Sequence, residues 1–305
     1  MDLKNGGAQQ NLNGQLIKSF PLQMPSLLVQ HEIADVLERI DDRIDLLRQT
    51  NATLESIAQA LFKSWFIDFD PVRAKAEGRE PQGMDADTAA LFPSIFEESE
   101  LGLIPKGWHS GCLGDVLTQR VSRTKPSNAT ATLSYVPIEC ITAKSVFLQE
   151  SLPGAQAQSS LTLFKEGDIL FGAMRPYFHK VCIAPFDGVT RTTAFVLQPK
   201  AEHSVFSLLA AFDDSTIEFA TTHSEGSTIP YAKWSSSLER KPLVLPPSEL
   251  ASAFETVVAP LLKSGIQNTC RAQTLTEIRD TLLPRLISGK LLIPESQAHV
   301  EDALA

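Results

Sequence analysis

A single stripe of apolar residues between Leu27 and Trp65 limits what this chain can fold into more than any other feature. Ile33, Leu37, Ile40, Ile44, Leu47, Asn51, Leu54, Ala58, Leu61 and Trp65 follow one another in alternating steps of four and three. Steps averaging 3.5 residues place one row of side chains along one face of a helix. No proline or glycine interrupts Ser26 to Phe69, and Ser26, just after Pro25, predicts the N-cap. A helix of about 38 residues would extend roughly 57 Å. So long a stripe needs a second helix to cover it. Asn51 sits in the seam, where a polar residue fixes register at some cost in stability.

The same chain supplies a partner. Shifted by 221 residues, PLQMP at 21–25 falls on PLVLP at 242–246, Val36 on Val257, Thr53 on Thr274, Leu54 on Leu275, Ile57 on Ile278 and Leu61 on Leu282. An internal repeat is an architectural clue. The second copy carries Phe254, Val257, Val258, Leu261, Leu275, Ile278, Leu282 and Leu286 as its apolar stripe. Pro260 removes a backbone donor and predicts a kink or break there, and Gly265 weakens the helix further. The expected arrangement is two helices paired antiparallel or nearly so, coiled-coil-like, holding a globular domain at one end.

That domain is expected at 105–245, where β-rich runs (133–141, 168–174, 180–185 and 193–199) alternate with turn signals before a helical run at 204–214. The fold class is therefore α+β: one mixed α/β domain flanked by two long helices. The remaining boundaries are a tail at 1–20, the first helix at 21–66, a linker at 67–104 with short helical turns near 85–92 and 94–100, the second helix at 246–293, and a disordered tail at 294–305. Net charge is −9, which by itself opposes nucleic-acid binding, since phosphates are neutralised by Lys and Arg. The excess is local, however: residues 66–104 hold three basic against nine acidic side chains, whereas 105–245 hold 13 against 12. Cys112, Cys140, Cys182 and Cys270 form no C-x-x-C pair, which argues for reduced thiols and against structural zinc. No segment is apolar enough for a membrane span, and no secretory leader is evident. A cytoplasmic protein is expected.

Several segments, in order, resemble the specificity subunits of type I restriction–modification systems. PLQMPSLLVQHEIADVLERIDDRIDLL is similar to the start of the family's conserved helix. LFKSWFIDFDPVRAKAEGREP and LFPSIFEESELGLIPKGW are similar to the lead into its second recognition domain. GDILFGAMRPYFHK and EGSTIPYAKWSSSLERKPLVLPP resemble strands and closing turns of that domain, and RDTLLPRLISGKLLI resembles its C-terminal helix end. The resemblance implies a non-catalytic subunit that recognises double-stranded DNA and docks methyltransferase (modification) subunits, with a motor-nuclease (restriction) subunit in the full complex. It implies no cofactor and no metal. Family members usually carry two recognition domains; here one is complete, and GGAQQNLNGQLIKSFPL resembles the closing tail of another. The expectation is a half-size or truncated subunit reading half a site, and two copies would restore twofold symmetry as a homodimer.

Base reading needs donors at base edges and cations at phosphates. Three loops offer them: TQRVSRTKPSN with Arg120, Arg123 and Lys125; RPYFHK with Arg175, Tyr177, His179 and Lys180; and SEGSTIPYAKW with Ser227, Thr228, Tyr231 and Lys233. Trp108 and Trp234 read as core, and Asp168 as a turn aspartate leading into a strand. ISGKLLI at 287–293 is no phosphate-binding loop, and no methyltransferase tetrad is present. Other readings stay open: a helical scaffold that binds no DNA, which the acidic charge favours; a stand-alone DNA enzyme; and a non-functional fragment.

Overall fold

The computed structural model describes residues 24–200, 204–226 and 228–291, with Gly14, Lys18 and Ser19. Most of the expected tails at 1–20 and 294–305, together with Ser227 and His203, lie outside the described residues. In chain order the helices are α1 (Leu27–Phe62), α2 (Asp70–Ala76), α3 (Ala86–Leu91), α4 (Leu113–Val116), α5 (Asn128–Ala131), α6 (Ser204–Phe212), α7 (Asp214–Thr222) and α8 (Ser248–Ile287). Two compact units result: one formed by the chain up to Asp45 and from Thr274 onward, the other by Leu46–Gln273.

In the first unit, Ile33, Val36, Ile40 and Ile44 of α1 are buried, as are Leu275, Leu282 and Leu286 of α8. Arg279 Nη1 meets Asp41 Oδ1 at 2.7 Å. In the second unit, Asn51 Nδ2 donates to the Gly265 carbonyl (2.9 Å) and to Thr269 Oγ1 (3.0 Å), and Asn51 Oδ1 accepts from Asn268 Nδ2 (3.0 Å). Every polar atom of this amide is thus satisfied, as a half-buried amide requires. Further along, Phe62, Trp65 and Phe66 lie against the Phe254 ring. Contact positions rise on α1 as they fall on α8.

The buried face of α1 departs from the heptad expectation. Leu37, Leu54 and Leu61 are only half-buried, while Val36, Glu55, Phe62 and Phe66 are buried. The inward positions run 33, 36, 40, 44, 47, 51, 55, 58, 62 and 66, steps of three, four and four. A strict seven-residue repeat drifts by about 20° per heptad on a straight helix, whereas an eleven-residue repeat stays close to 3.6 residues per turn. The sequence offered apolar residues on both rows, and the straighter helix selects the second. The expected kink or break at Pro260 is also absent: α8 runs unbroken for 40 residues. Pro260 is exposed, while Phe254, Val258 and Leu262 around it are buried, and that packing offsets one lost backbone bond.

The second unit carries the strands β1 (Phe96–Ser99), β2 (Gly102–Pro105), β3 (His109–Cys112), β4 (Leu117–Gln119), β5 (Arg123–Thr124), β6 (Ser134–Tyr135), β7 (Leu152–Pro153), β8 (Leu161–Phe164), β9 (Ile169–Gly172), β10 (Val181–Ile183), β11 (Gly188–Arg191), β12 (Ala194–Pro199) and β13 (Pro242–Leu245). A four-stranded antiparallel sheet has the order β10-β9-β12-β4, and a five-stranded mixed sheet the order β5-β8-β11-β6-β7, with β11 and β6 parallel. The alternation expected at 168–174, 180–185 and 193–199 becomes β9, β10 and β12. Residues 94–100, expected as a helical turn, form β1 instead and pair with β2 from Phe96↔Pro105 to Ser99↔Gly102. The 67–104 segment supplies Phe69, Val72, Phe92 and Ile104 to the main core, beside Trp108 and Trp234.

One junction ties α1 to this domain. Glu55, buried at 7% exposure, accepts the Val146 amide (2.8 Å) and the Ser145 hydroxyl (3.2 Å). Burial, the largest influence on it, raises its carboxyl pKa above the usual value, against the pull of those hydrogen bonds. The next residue, Phe147, presses its ring against Gly265 of α8. Gly265, read from the sequence as a weakness, leaves the space this ring fills.

Candidate nucleic-acid interface

The second and third candidate loops meet. β9 leads into Arg175, whose φ is +52°; a 3₁₀ turn follows at Pro176–Phe178; His179, also at φ +52°, returns the chain to β10. Left-handed backbone is costly for residues with a Cβ, and it persists only where the surroundings impose it. Here they do. The Arg175 amide donates to the Pro230 carbonyl (2.7 Å), and the Ala232 amide to the Ala173 carbonyl (2.8 Å). Met174 and Tyr231 form a β-bridge, and the Tyr231 hydroxyl donates to the Thr192 carbonyl. Arg175, Tyr177 and Thr228 are carried to one rim by this arrangement. Tyr177 and Thr228 are exposed there and Arg175 half-exposed. The Arg175 guanidinium makes no hydrogen bond or ion pair among the described residues. Lys233 pairs with Glu225 at 2.6 Å, both well exposed; such a pair contributes about 0–1 kcal/mol and leaves the ammonium available to an outside anion.

Other candidates turn inward. His179 is only 5% exposed: its Nε2 lies 2.7 Å from the Phe212 carbonyl, its Nδ1 3.3 Å from Asp214, and its ring against Phe212. Burial holds its pKa below the usual imidazole value. It shapes the turn rather than facing solvent, and its DNA-binding assignment is corrected. Lys180 spends its ammonium on the Ile138 carbonyl (2.7 Å). Tyr231, half-buried, has its hydroxyl committed to Thr192 and its pKa raised by burial. Arg120 grips Asp168 with two bonds, Nε to Oδ2 at 2.7 Å and Nη2 to Oδ1 at 3.0 Å. Asp168 also accepts the Lys165 amide (2.8 Å), as a turn aspartate does before a strand.

In the first loop, Arg123 is exposed on β5, the edge strand beside β8, and Lys125 is exposed after it. No hydrogen bond or ion pair among the described residues joins this loop to the other two. Sequence reasoning passed over Phe178 and Ile229, which are 47% and 48% exposed beside the candidate residues. The signal was visible in Phe178: a second aromatic within a turn has no core-facing periodicity to account for it.

Comparison with known proteins agrees with this geometry. A family model described as "Type I restriction modification DNA specificity domain" matches residues 1–56. The MjaIX specificity subunit of Methanocaldococcus jannaschii, a type I restriction enzyme subunit, is 28% identical over 309 residues, or 96% of this chain and 66% of its own length. The chain is related to the type I restriction–modification specificity subunits. The HindI specificity subunit of Haemophilus influenzae, another type I relative, is 26% identical over 331 residues, covering 90% of this chain and 70% of its own. Among solved structures, the type I S subunit from M. genitalium shares the fold, with a TM-score of 0.52 at 15% identity over 93% of this chain and 68% of that one. Against its type I relatives, then, the chain spans roughly two thirds of their length.

Proposed function

We propose that this chain is the non-catalytic DNA-reading subunit of a type I restriction–modification complex, acting in the cytoplasm. The observation that carries the reading is the junction of the 173–180 and 224–233 segments, which presents a guanidinium without a protein partner, Arg175, on a rim with Tyr177 and Thr228. An arginine in that position can take two acceptors of a guanine edge or a phosphate. Arg123 and Lys125 would add phosphate contacts, which position a protein on DNA without specifying sequence. The helices α1 and α8 form an antiparallel pair that docks the modification subunits, and a motor-nuclease subunit joins the full complex. A second copy supplies the other half-site by twofold symmetry, so the methylated sequence is an inverted repeat with a fixed gap.

The test is co-expression with a modification subunit, sequencing of methylated DNA, and binding of the mapped duplex across a salt series. Binding that is sequence-selective and falls steeply with salt is expected. Retention of no duplex at low salt would favour the scaffold reading, for which the net charge of −9 is the one specific observation. An asymmetric methylated site would remove the homodimer.

A further inference from the structure

The Pro176–Phe178 turn has a feature that hydrogen-bonded base reading does not use. Tyr177 and Phe178, neighbours in sequence, are 48% and 47% exposed, and their ring centroids lie 4.8 Å apart at an interplanar angle of 57°. Adjacent large aromatics at a turn normally bury at least one ring. Here both project while the backbone beneath them is fixed from several sides. Arg175 bonds Pro230, Phe178 bonds back to Arg175 (3.0 Å), His179 bonds back to Pro176 (2.8 Å), and the His179 carbonyl accepts the Lys144 amide (2.8 Å). The buried His179 imidazole anchors the turn to the end of α6. Both flanking residues adopt left-handed backbone with no glycine to ease it.

From this geometry we infer that Tyr177 and Phe178 form a rigid aromatic wedge that enters a base step of duplex DNA and partly unstacks it. Apolar side chains inserted between base pairs unstack and kink the duplex, and the energy to do so must come from contacts the protein already holds in place. A preorganised turn meets that requirement, because ordering a loose loop would add its own cost. Arg175 beside the rings supplies the cation that a phosphate or base edge next to an opened step calls for. A protein partner suits the feature less well: two rings and Ile229 are a small area against the roughly 800 Å² per partner of a stable protein interface. The inference rests on the DNA-reading proposal above and adds to it a mode of contact, a residue (Phe178) and a positioning role for His179.

The experiment uses the full chain in complex with its modification subunit, without methyl donor. The probe is a duplex carrying the sequence mapped by methylation sequencing, with 2-aminopurine at each adenine in turn other than the methylated one. Wild-type complex is expected to raise the fluorescence at one position, and Tyr177→Ala/Phe178→Ala to abolish that rise at saturating protein while binding about tenfold or more weakly. Circular dichroism and melting establish that the variant is folded; should it not fold, Phe178→Ser, a single change at an exposed position, makes the same test. Wild-type binding with no fluorescence rise at any position would overturn the wedge and leave DNA reading intact. A variant with unchanged fluorescence and affinity but lost co-purification with the modification subunit would overturn it in favour of protein docking. Failure of the wild-type complex to bind the duplex at all would remove both proposals.

Discussion

Gly265→Ala separates the two accounts of that glycine. In an exposed helix interior, alanine in place of glycine is favoured by about 1 kcal/mol, so helix propensity predicts a gain in stability. The structure predicts the reverse. A methyl at 265 would lie 2.8 Å from Cε2 of Phe147 and closer still to Cζ and Cε1, where carbon atoms prefer about 3.5–4.0 Å. Phe147 is buried in the main core and cannot swing to solvent, and Gly265 cannot retreat without pulling its carbonyl from Asn51 Nδ2. Overpacking of this kind costs about 1–3 kcal/mol, and displacement of the whole ring is bounded by the roughly 3–5 kcal/mol of a buried Phe→Ala change. Set against the propensity gain, a net loss of about 1–2 kcal/mol is expected. For a unit of this size that lowers the melting temperature by roughly 2–8 °C. Thermal melting and urea titration measure it. The control is Phe147→Leu, which shortens the side chain: in that background Gly265→Ala should become neutral or favourable. Equal effects of Gly265→Ala in both backgrounds, or stabilisation of the otherwise unaltered protein, would refute the packing argument.

Leu47→Asp places a charge at a buried position of α1, where desolvation costs several kcal/mol; a large drop in melting temperature and loss of co-purification with the modification subunit are expected, and unchanged behaviour would mean the face is not buried. Burial lifts the Glu55 carboxyl above its ordinary 4.5, so just above pH 4.5 the folded state keeps a proton the unfolded chain has released, and stability falls as pH rises through that window. Glu55→Gln should remove this slope while keeping an acceptor for the Val146 amide; denaturant titrations of both proteins from pH 4 upward, with identical slopes, would contradict it. Arg175→Ala should weaken binding to the mapped duplex by about 1–3 kcal/mol and relax one base position if it reads a base, or weaken all sequences alike if it touches phosphate; unaltered affinity at fixed salt places it outside the interface.

Long helices, β9, β10, β12 and the core roles of Trp108 and Trp234 were legible because each rests on periodicity or on a large apolar side chain. The inward row of α1 was not. Leu54 and Glu55 lie next to each other, and hydrophobicity alone selects the leucine; the structure buries the glutamate because Val146 and Ser145, far along the chain, present donors to it. Pro260 was misjudged for a related reason: a local rule met packing by Phe254, Val258 and Leu262 that outweighs one missing bond. At the candidate interface, residue type marked the right loops without indicating which side chains face outward. Arg120 and Arg175 look alike in sequence, and only the fold reveals that Asp168 waits for one of them. His179 reads as a surface donor until Phe212 is seen to cover it.

The three-four-four spacing along α1 also bears on how such a chain can change length. An insertion of one residue turns everything beyond it by about 100° about the helix axis, carrying Glu55 away from Val146 or Asn51 away from Gly265. An insertion of eleven residues, about three turns and 16.5 Å, restores both angles to within about 20°. Drift in the loops that face solvent is free of any such arithmetic. The spacer helix therefore evolves in coarse, phase-locked increments, while the surface at the 3₁₀ turn can vary one residue at a time.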